Sequence, residues 1–419
     1  MRRLISFMTI AGIFFLLAAC NDSSNSSTGS SGKSDQETVK IFQFKVEIAE
    51  ALNKLVEEYE EETGVKVEVE TVGGGADYDA ALKAKLAGGE EPDIFNNTGL
   101  SQLEQYKDRA MDLSDQPWVD RVYDSAKQWM FTDEGVFGMP FGIEVHGLIY
   151  NKDLFEQAGI TSEPETLSEL RDAMKKLKDA GIQPLANGFG EWWILNQLLT
   201  VATASRDDPV DFSDKVSKGE LKLSEDPIFQ EFVKTLDTFI EYSNPNPLTT
   251  DYNTQVTMFA SGEAAMMSQG NWTQVQIDGI DPDMNIGLIG IPIGDEYYGK
   301  VSGGVPNHWV VNKKGNNPEG AKKFLDWLVS SDRGKDYITN EFLFIPALEG
   351  IDYQEGVLGD IAEAGIEYID SDNLNSWAQV YPDTYDKEFG AAMQAYVAEE
   401  ISAEEMLQQF DKAIEKLRK

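Results

Sequence analysis

Apolar and polar residues alternate along Val39-Lys40-Ile41-Phe42-Gln43-Phe44, the period of a half-buried strand. The spacing then changes to that of a helix, with Ile48, Leu52, Leu55, Val56 and Tyr59 on one face and Gly64 at its end. Val65, Val67 and Val69 alternate again. Gly73-Gly74-Gly75 forms a loop before a helix carrying Tyr78, Leu82 and Leu86. Pro92-Asp93-Ile94-Phe95 predicts a short buried strand, and Asn96-Asn97-Thr98-Gly99 a polar loop. Strands alternating with helices predict a parallel sheet covered by helices. In such sheets ligands collect at the carboxyl ends of the strands. Those ends are Phe44 to Glu47, Gly73 to Tyr78, and Asn96 to Gly99.

A second α/β region follows Phe137 to Ile160. That stretch reads as a turn (Gly138-Met139-Pro140), an apolar strand (Leu148-Ile149-Tyr150) and a short helix closed by Gly159. Glu144 and His146 fall where turn becomes strand. The chain is expected to leave one lobe here and enter another, with this pair facing a cleft. Thr166 with Glu169 predicts a capping box, as does Ser402 with Glu405. Helices are predicted from Pro227 and from Asn317-Pro318. Strands are predicted over Ile286 to Pro292 and around Trp309-Val310-Val311, the latter preceded by Gly303-Gly304. Trp118, Trp129 and Trp327 have helical spacing and are expected in the core. There is no internal repeat.

Composition narrows the function. A chain of 419 residues exceeds the size at which one core stops growing, so two lobes are expected. The formal charge of −38 opposes binding to nucleic acid or anionic lipid, and no Arg or Lys cluster offers a local pocket for an anion. The acidity reads as a solvated, mutually repelling surface. The triple glycine lacks the Lys-Ser/Thr of a P-loop and the spacing of a dinucleotide fingerprint, so it reads as a plain loop. There is no Walker motif and no His/Glu motif at metal spacing, so neither a cofactor nor a metal is expected. Arg2 and Arg3 precede an apolar run, Leu4 to Ala19, too short to span a bilayer and typical of a secretory leader. The run ends Leu17-Ala18-Ala19-Cys20, and Cys20 is the only cysteine. These four residues resemble the lipobox of bacterial lipoproteins. That implies cleavage before Cys20, a diacylglycerol on its sulfur, and attachment to the outer face of the cell membrane. Asn21 to Asp35 has no apolar residue and reads as a flexible tether.

Several segments together resemble the extracellular solute-binding proteins of carbohydrate ABC transporters, the maltose-binding-protein-like family. They are Glu62 to Val67, Glu91-Pro92-Asp93-Ile94, and Tyr150 to Phe155 through Gly159-Ile160. They continue with Phe259 to Met266, Gly270-Asn271-Trp272, and Asn317 to Leu325. The resemblance implies a periplasmic-binding-protein-like fold of two α/β lobes, each a mostly parallel sheet flanked by helices, with the ligand between them. It implies crossovers near Gly142-Ile143, Gly303-Gly304 and Phe344 to Pro346. The expected division is a leader over 1–19 and a lipidated tether over 20–37. The first lobe then takes 38–142 with 304–344, and the second 143–303 with 345–419.

A sugar offers apolar faces that stack on aromatic rings and hydroxyls that need carboxylates or amides. Tryptophans stand beside polar groups at Glu191-Trp192-Trp193, Asn271-Trp272 and Asn307-His308-Trp309. Trp377 lies in a polar loop, and Tyr385 follows Asp383. By resemblance Glu144 is a hinge carboxylate and Trp272, Trp193 and Tyr385 are stacking aromatics. Only one of Trp192 and Trp193 is expected to face the cleft. Asn97, Lys45 and Glu47 are candidates at strand ends, and His146 and His308 lie beside crossovers, where a structural role competes with a binding one. The maltose proteins carry an aromatic and charged cluster after the Pro-Asp-Ile strand, and Asn96 to Gly99 has neither, which argues against maltose itself.

The implied mechanism is binding without catalysis. The lobes close on a sugar, an oligosaccharide given the number of tryptophans, and a monomeric receptor docks on the membrane permease of an ABC importer. Two other readings stand beside this one: the same fold holding a polyamine, metal or other non-sugar solute, and a secreted glycoside hydrolase using paired acids. Glu144→Gln is expected to weaken sugar binding while leaving the melting temperature nearly unchanged.

Overall fold

The computed structural model describes residues 38–417, apart from 128, 141, 207–208, 296–299, 372–373 and 377–385. Two sheets organise it. In the first, strands β1 (Val39–Gln43), β2 (Val67–Thr71) and β3 (Ile94–Asn97) run parallel, with Ile41 level with Val69 and with Ile94. The helices Ala49–Thr63 and Tyr78–Ala87 connect them. After a small hairpin of β4 (Phe131–Thr132) and β5 (Gly135–Val136), the chain moves to the second sheet.

That sheet is built on β6 (Glu144–Asn151), every residue of which is buried. It adds β7 (Gln183–Ala186), β8 (Ala264–Gly270), β9 (Ile286–Ile289), β10 (Val301–Gly304) and β12 (Leu374–Ser376). β6 runs antiparallel to β8, β9 and β10, whereas β7 lies parallel to β8 and β12 parallel to β10. One strand thus opposes the rest. The first sheet gains its own opposed strand, β11 (His308–Val311), on the far edge of β3.

Each sheet has its own core. Ile41, Leu52, Ile94, Trp118, Phe324 and Leu328 belong to the first, and Ile149, Leu198, Phe232, Met266 and Phe410 to the second. Ile143 packs against both cores. Its N–H donates to the carbonyl of Ile345 at 2.7 Å, and Met139 and Trp309 exchange backbone hydrogen bonds at 2.9 and 3.1 Å. Asn271 ties in the second sheet: its Oδ1 accepts from the Val145 N–H at 2.9 Å and its Nδ2 donates to the Ile143 carbonyl at 3.3 Å. After Ile345 the chain still contributes Ala347, Leu348 and Ile351 to the first core before Leu358 enters the second.

Both expected capping boxes are formed, and Asp226 and Asn317 cap the helices that open with Pro227 and Pro318. β6 starts at Glu144, where the turn was expected to become a strand. β10 ends at Gly304 in the second sheet and β11 starts at His308 in the first, so the chain crosses directly after Gly303-Gly304, as expected. Two expectations change. Asn96 and Asn97 end β3 and are fully buried rather than in an open loop. The Tyr78 hydroxyl holds that strand end, accepting from the Asn96 N–H at 2.9 Å. Trp129 sits in a turn at φ 65°, half-buried, rather than in a helix.

Candidate functional site

Between the two sheets lies a cleft of about 410 Å³. The first lobe supplies its wall from strand ends: Phe44 to Glu47 after β1, Gly73 to Asp79 after β2, and Thr98 after β3. This is where a parallel sheet leaves room for a ligand. The second lobe supplies Gly190 to Trp193, Asn196, Gln197, Tyr252 and Trp272. Glu144, Pro306 and Asn307 come from the crossings.

The polar side is built on Lys45. Its ammonium contacts Oε1 of Glu144 directly and lies 3.3 Å from Oε1 of Glu47. Asn307 donates to the same Glu144 oxygen at 3.2 Å, and the Phe344 ring lies 5.2 Å beneath the ammonium. Burial alone drives Lys45 toward its neutral form, but Glu144 and Glu47 together outweigh it and hold its pKa above the ordinary 10.5. Burial pushes the Glu47 carboxyl up against the pull of Lys45. Gln43 fixes the backbone here, its Oε1 accepting from the Lys45 N–H at 2.6 Å.

The aromatic side is equally braced. Gly270 and Trp272 fit together: a Cβ on Gly270 would come 2.1 Å from the Val145 carbonyl oxygen and 2.2 Å from the indole. Only glycine lets Trp272 fold back on its own strand. The indole N–H donates to Gln269 at 3.0 Å, Gln269 to Gln255 at 2.8 Å, and Gln255 to the Ala186 carbonyl at 2.9 Å. His146 stacks behind Trp272, ring centres 6.2 Å apart and 7° from parallel. Trp192 and Trp193 open the helix Trp192–Ala204. Glu191 accepts from the Trp193 indole at 2.5 Å and from the Tyr252 N–H at 2.8 Å. Trp193 leans on Tyr252 at 5.4 Å. Burial pushes the Tyr252 hydroxyl's pKa well up, and the negative charge of Glu47, Glu144 and Glu191 adds to it.

Of the residues singled out from sequence, the fold brings Lys45, Glu47, Glu144, Glu191, Trp192, Trp193 and Trp272 to the cleft. Both adjacent tryptophans line it, contrary to the expectation of one, because the first turn of a helix can aim two neighbours at one space. Five others lie elsewhere. Asn271 serves the crossings, as described. Asn97 is buried and accepts from the Gly99 N–H at 3.1 Å. His146 is behind Trp272, with Nε2 3.1 Å from the Ser268 hydroxyl. His308 is buried opposite Asn97. Trp309 is in the first core, 6.3 Å from Phe324. Asp383, Tyr385, Trp377 and Cys20 lie outside the described residues.

Sequence reasoning missed Tyr252, Asn196, Gln197 and Asp79. The strand ends Phe44 to Glu47 and Gly73 to Tyr78, expected to face a ligand, do line the cleft. Among the described residues no group of three or more His, Cys, Asp or Glu is placed to hold a metal, and no helix is long and apolar enough to cross a membrane. A second hollow of about 560 Å³ lies on the second lobe alone, between Lys152, Glu163, Asp360 and Glu367. It has no facing lobe and no tryptophan, so the cleft is the candidate site.

Paired sheets, crossings bonded to each other and a cleft at the strand ends define a two-lobed binding protein. A solved complex of the solute-binding protein RafE with raffinose has the same fold, with a TM-score of 0.75 at 22% identity, covering 91% of this chain and 100% of that one. The chain belongs to the bacterial extracellular solute-binding protein family, whose model matches residues 45–335. Among curated relatives, an uncharacterised ABC transporter extracellular-binding protein of Pyrococcus horikoshii is 25% identical over 342 residues, 78% of this chain and 76% of that protein. The multiple sugar-binding protein of Streptococcus mutans is 24% identical over 343 residues, 80% of each chain.

Proposed function

We propose that this protein binds an uncharged oligosaccharide in the cleft, closes its two lobes around it, and passes it to the permease of an ABC importer without altering it. The observation that carries this reading is the placement of Trp192, Trp193, Tyr252 and Trp272 in the same cleft as Lys45, Glu47, Glu144 and Asn307. Rings take the C–H faces of a sugar, and the amide and carboxylates take its hydroxyls. The names of the relatives support it, since they bind multiple sugars and raffinose. In this reading the first lobe is 38–142 with 304–351, since Ala347, Leu348 and Ile351 pack in its core, the second is 143–303 with 358–419, and a lipid on Cys20 holds the receptor at the cell surface. Glu144, Trp272, Trp193 and Trp192 are the binding residues, and Glu191 positions the ring wall.

A thermal-shift screen against mono- and oligosaccharides tests this, since a ligand that binds only the folded state raises the melting temperature by mass action. The expected result is a concentration-dependent rise with an oligosaccharide that is recovered intact afterwards. A folded protein that shifts with no carbohydrate overturns the reading. Released shorter sugars would assign it to the hydrolases instead.

A further inference from the structure

We propose that Lys387 is a positioning residue for ligand capture: it backs the Trp192 ring and latches that side of the cleft to the opposite lobe through Asp77. Lys387 lies at the start of the helix Asp386–Val397, whose Phe389, Ala392 and Met393 belong to the second core. Its ammonium reaches the other lobe, 2.8 and 2.9 Å from the two oxygens of Asp77 and 3.5 Å from Asp79. Asp77 caps the helix Tyr78–Ala87, and Tyr78 packs with Phe42 of β1 in the first lobe. On its way the ammonium passes 5.8 Å from the centre of the Trp192 ring. The next turn of the helix is Gly390, where a Cβ would stand 2.6 Å from Cβ of Trp192. Trp192 is therefore backed on one side by helix main chain and covered by a lysine whose charge belongs to a pair across the cleft.

The neighbouring loop makes the same crossing. Gly74, at φ 59°, lies so near the second lobe that a Cβ would meet Asn253 Nδ2 at 2.9 Å. Gly73 to Asp79 thus forms a closing edge, side-chain-free at Gly74 and charged at Asp77. Both partners of the ion pair are substantially exposed, 39% for Lys387 and 51% for Asp77. Such a pair is weak and screened by salt. Capture of an uncharged ligand then becomes salt-dependent through the latch, although the ligand brings no charge. The idea rests on the closing-lobe reading above, but its test needs no sugar.

The test is small-angle X-ray scattering of the purified, sugar-free protein, comparing wild type with Asp77→Asn and Lys387→Met. Measurements at about 0.01 M and about 1 M NaCl change the Debye length from about 30 Å to about 3 Å. Asn keeps the helix cap, and Met keeps an apolar stem over Trp192. Both variants should show a larger radius of gyration than wild type at low salt, equivalent to a roughly two- to fivefold rise in the open-to-closed ratio. The difference should vanish at high salt. The two substitutions change net charge in opposite directions, so a shift in the same direction excludes general repulsion between acidic lobes. Variants that scatter like wild type at low salt, or that move in opposite directions, overturn the proposal. Circular dichroism confirms folding, and if one variant is unfolded the other decides the latch. Lys387→Ala, which also strips the stem, should raise acrylamide quenching of tryptophan emission above that of Lys387→Met. Equal quenching overturns the role at Trp192.

Discussion

The Lys45 ammonium rests on Oε1 of Glu144, joining the loop after β1 to the first residue of β6, and both side chains are almost fully buried. This pair sits in the candidate binding cleft and at the join between the lobes at once. Glu144→Gln therefore does more than remove a hydrogen-bond acceptor, and the expectation of an unchanged melting temperature is revised. Removing one partner of a buried pair costs about 3–5 kcal/mol, and Glu47 remains to offset part of it. We expect a loss of roughly 3 kcal/mol in urea unfolding, together with weaker sugar binding. Lys45→Met with Glu47→Gln and Glu144→Leu, which leaves no member of the buried cluster charged, should recover most of the stability but not the binding. A stability equal to wild type in Glu144→Gln would show that the pair contributes nothing to the fold.

Trp192 and Trp272 should separate binding from stability. Trp272 is 5% exposed and part of the second core, so Trp272→Ala should lower stability by about 3–5 kcal/mol as well as weaken binding. Trp192 is only half-buried and lies outside that core. Trp192→Ala should weaken binding of whichever oligosaccharide the thermal screen identifies by about tenfold, with a far smaller change in unfolding. Calorimetric titration showing full affinity in Trp192→Ala would remove that ring from the site.

Gly270→Ala puts a methyl group against the Val145 carbonyl and the Trp272 ring at the same time. The strand pairing of His146 with Gly270 leaves little room for adjustment. Overpacking of this kind costs about 1–3 kcal/mol. The near-ultraviolet circular dichroism of tryptophan should change as the indole is displaced. An unchanged spectrum with unchanged stability would mean that the contact relaxes freely.

Both histidines give the fold an acid sensitivity. Burial pushes His146 and His308 down from 6.5 to about 3. Below about pH 6.5 the unfolded chain takes up protons that the folded one refuses, so stability falls as the pH falls, down to about pH 3. Between about pH 6.5 and pH 5 the loss is roughly 2 kcal/mol for each histidine. Urea midpoints across that window check it. His146→Asn and His308→Asn should each flatten the dependence by about one proton, and a wild type that is flat over the window contradicts the assignment.

Much of the fold was legible because it is local. Val39 to Phe44, Ile48 to Tyr59 and Thr166 to Leu177 each show the period of the element they form, and the capping residues sit where the helices begin. The site was half legible. Glu144 and Trp272 stood out through the family resemblance, which carries a hinge carboxylate onto the first and a stacking aromatic onto the second. Adjacency in the sequence misled here. Asn307 precedes β11 and lines the cleft, whereas His308 and Trp309 belong to the strand and are buried. Asn97 read as loop because β3 outlasts its apolar residues. Tyr252 and Lys387 carried no local signal, as each meets its partners only once distant segments are assembled: Trp193 for the first, Asp77 and Trp192 for the second.

The bonded crossings have a mechanical consequence. Ile143 pairs with Ile345, Met139 pairs with Trp309, and Asn271 grips the backbone of Ile143 and Val145. Separate connectors would let two bodies twist and slide independently. Connectors stitched side by side form a ribbon, which bends across its flat face but resists shear because sliding would break its ladder. The permitted movement is then a single swing, like a page on its spine. Each closing returns Gly73 to Asp79 to the same place beside Trp192.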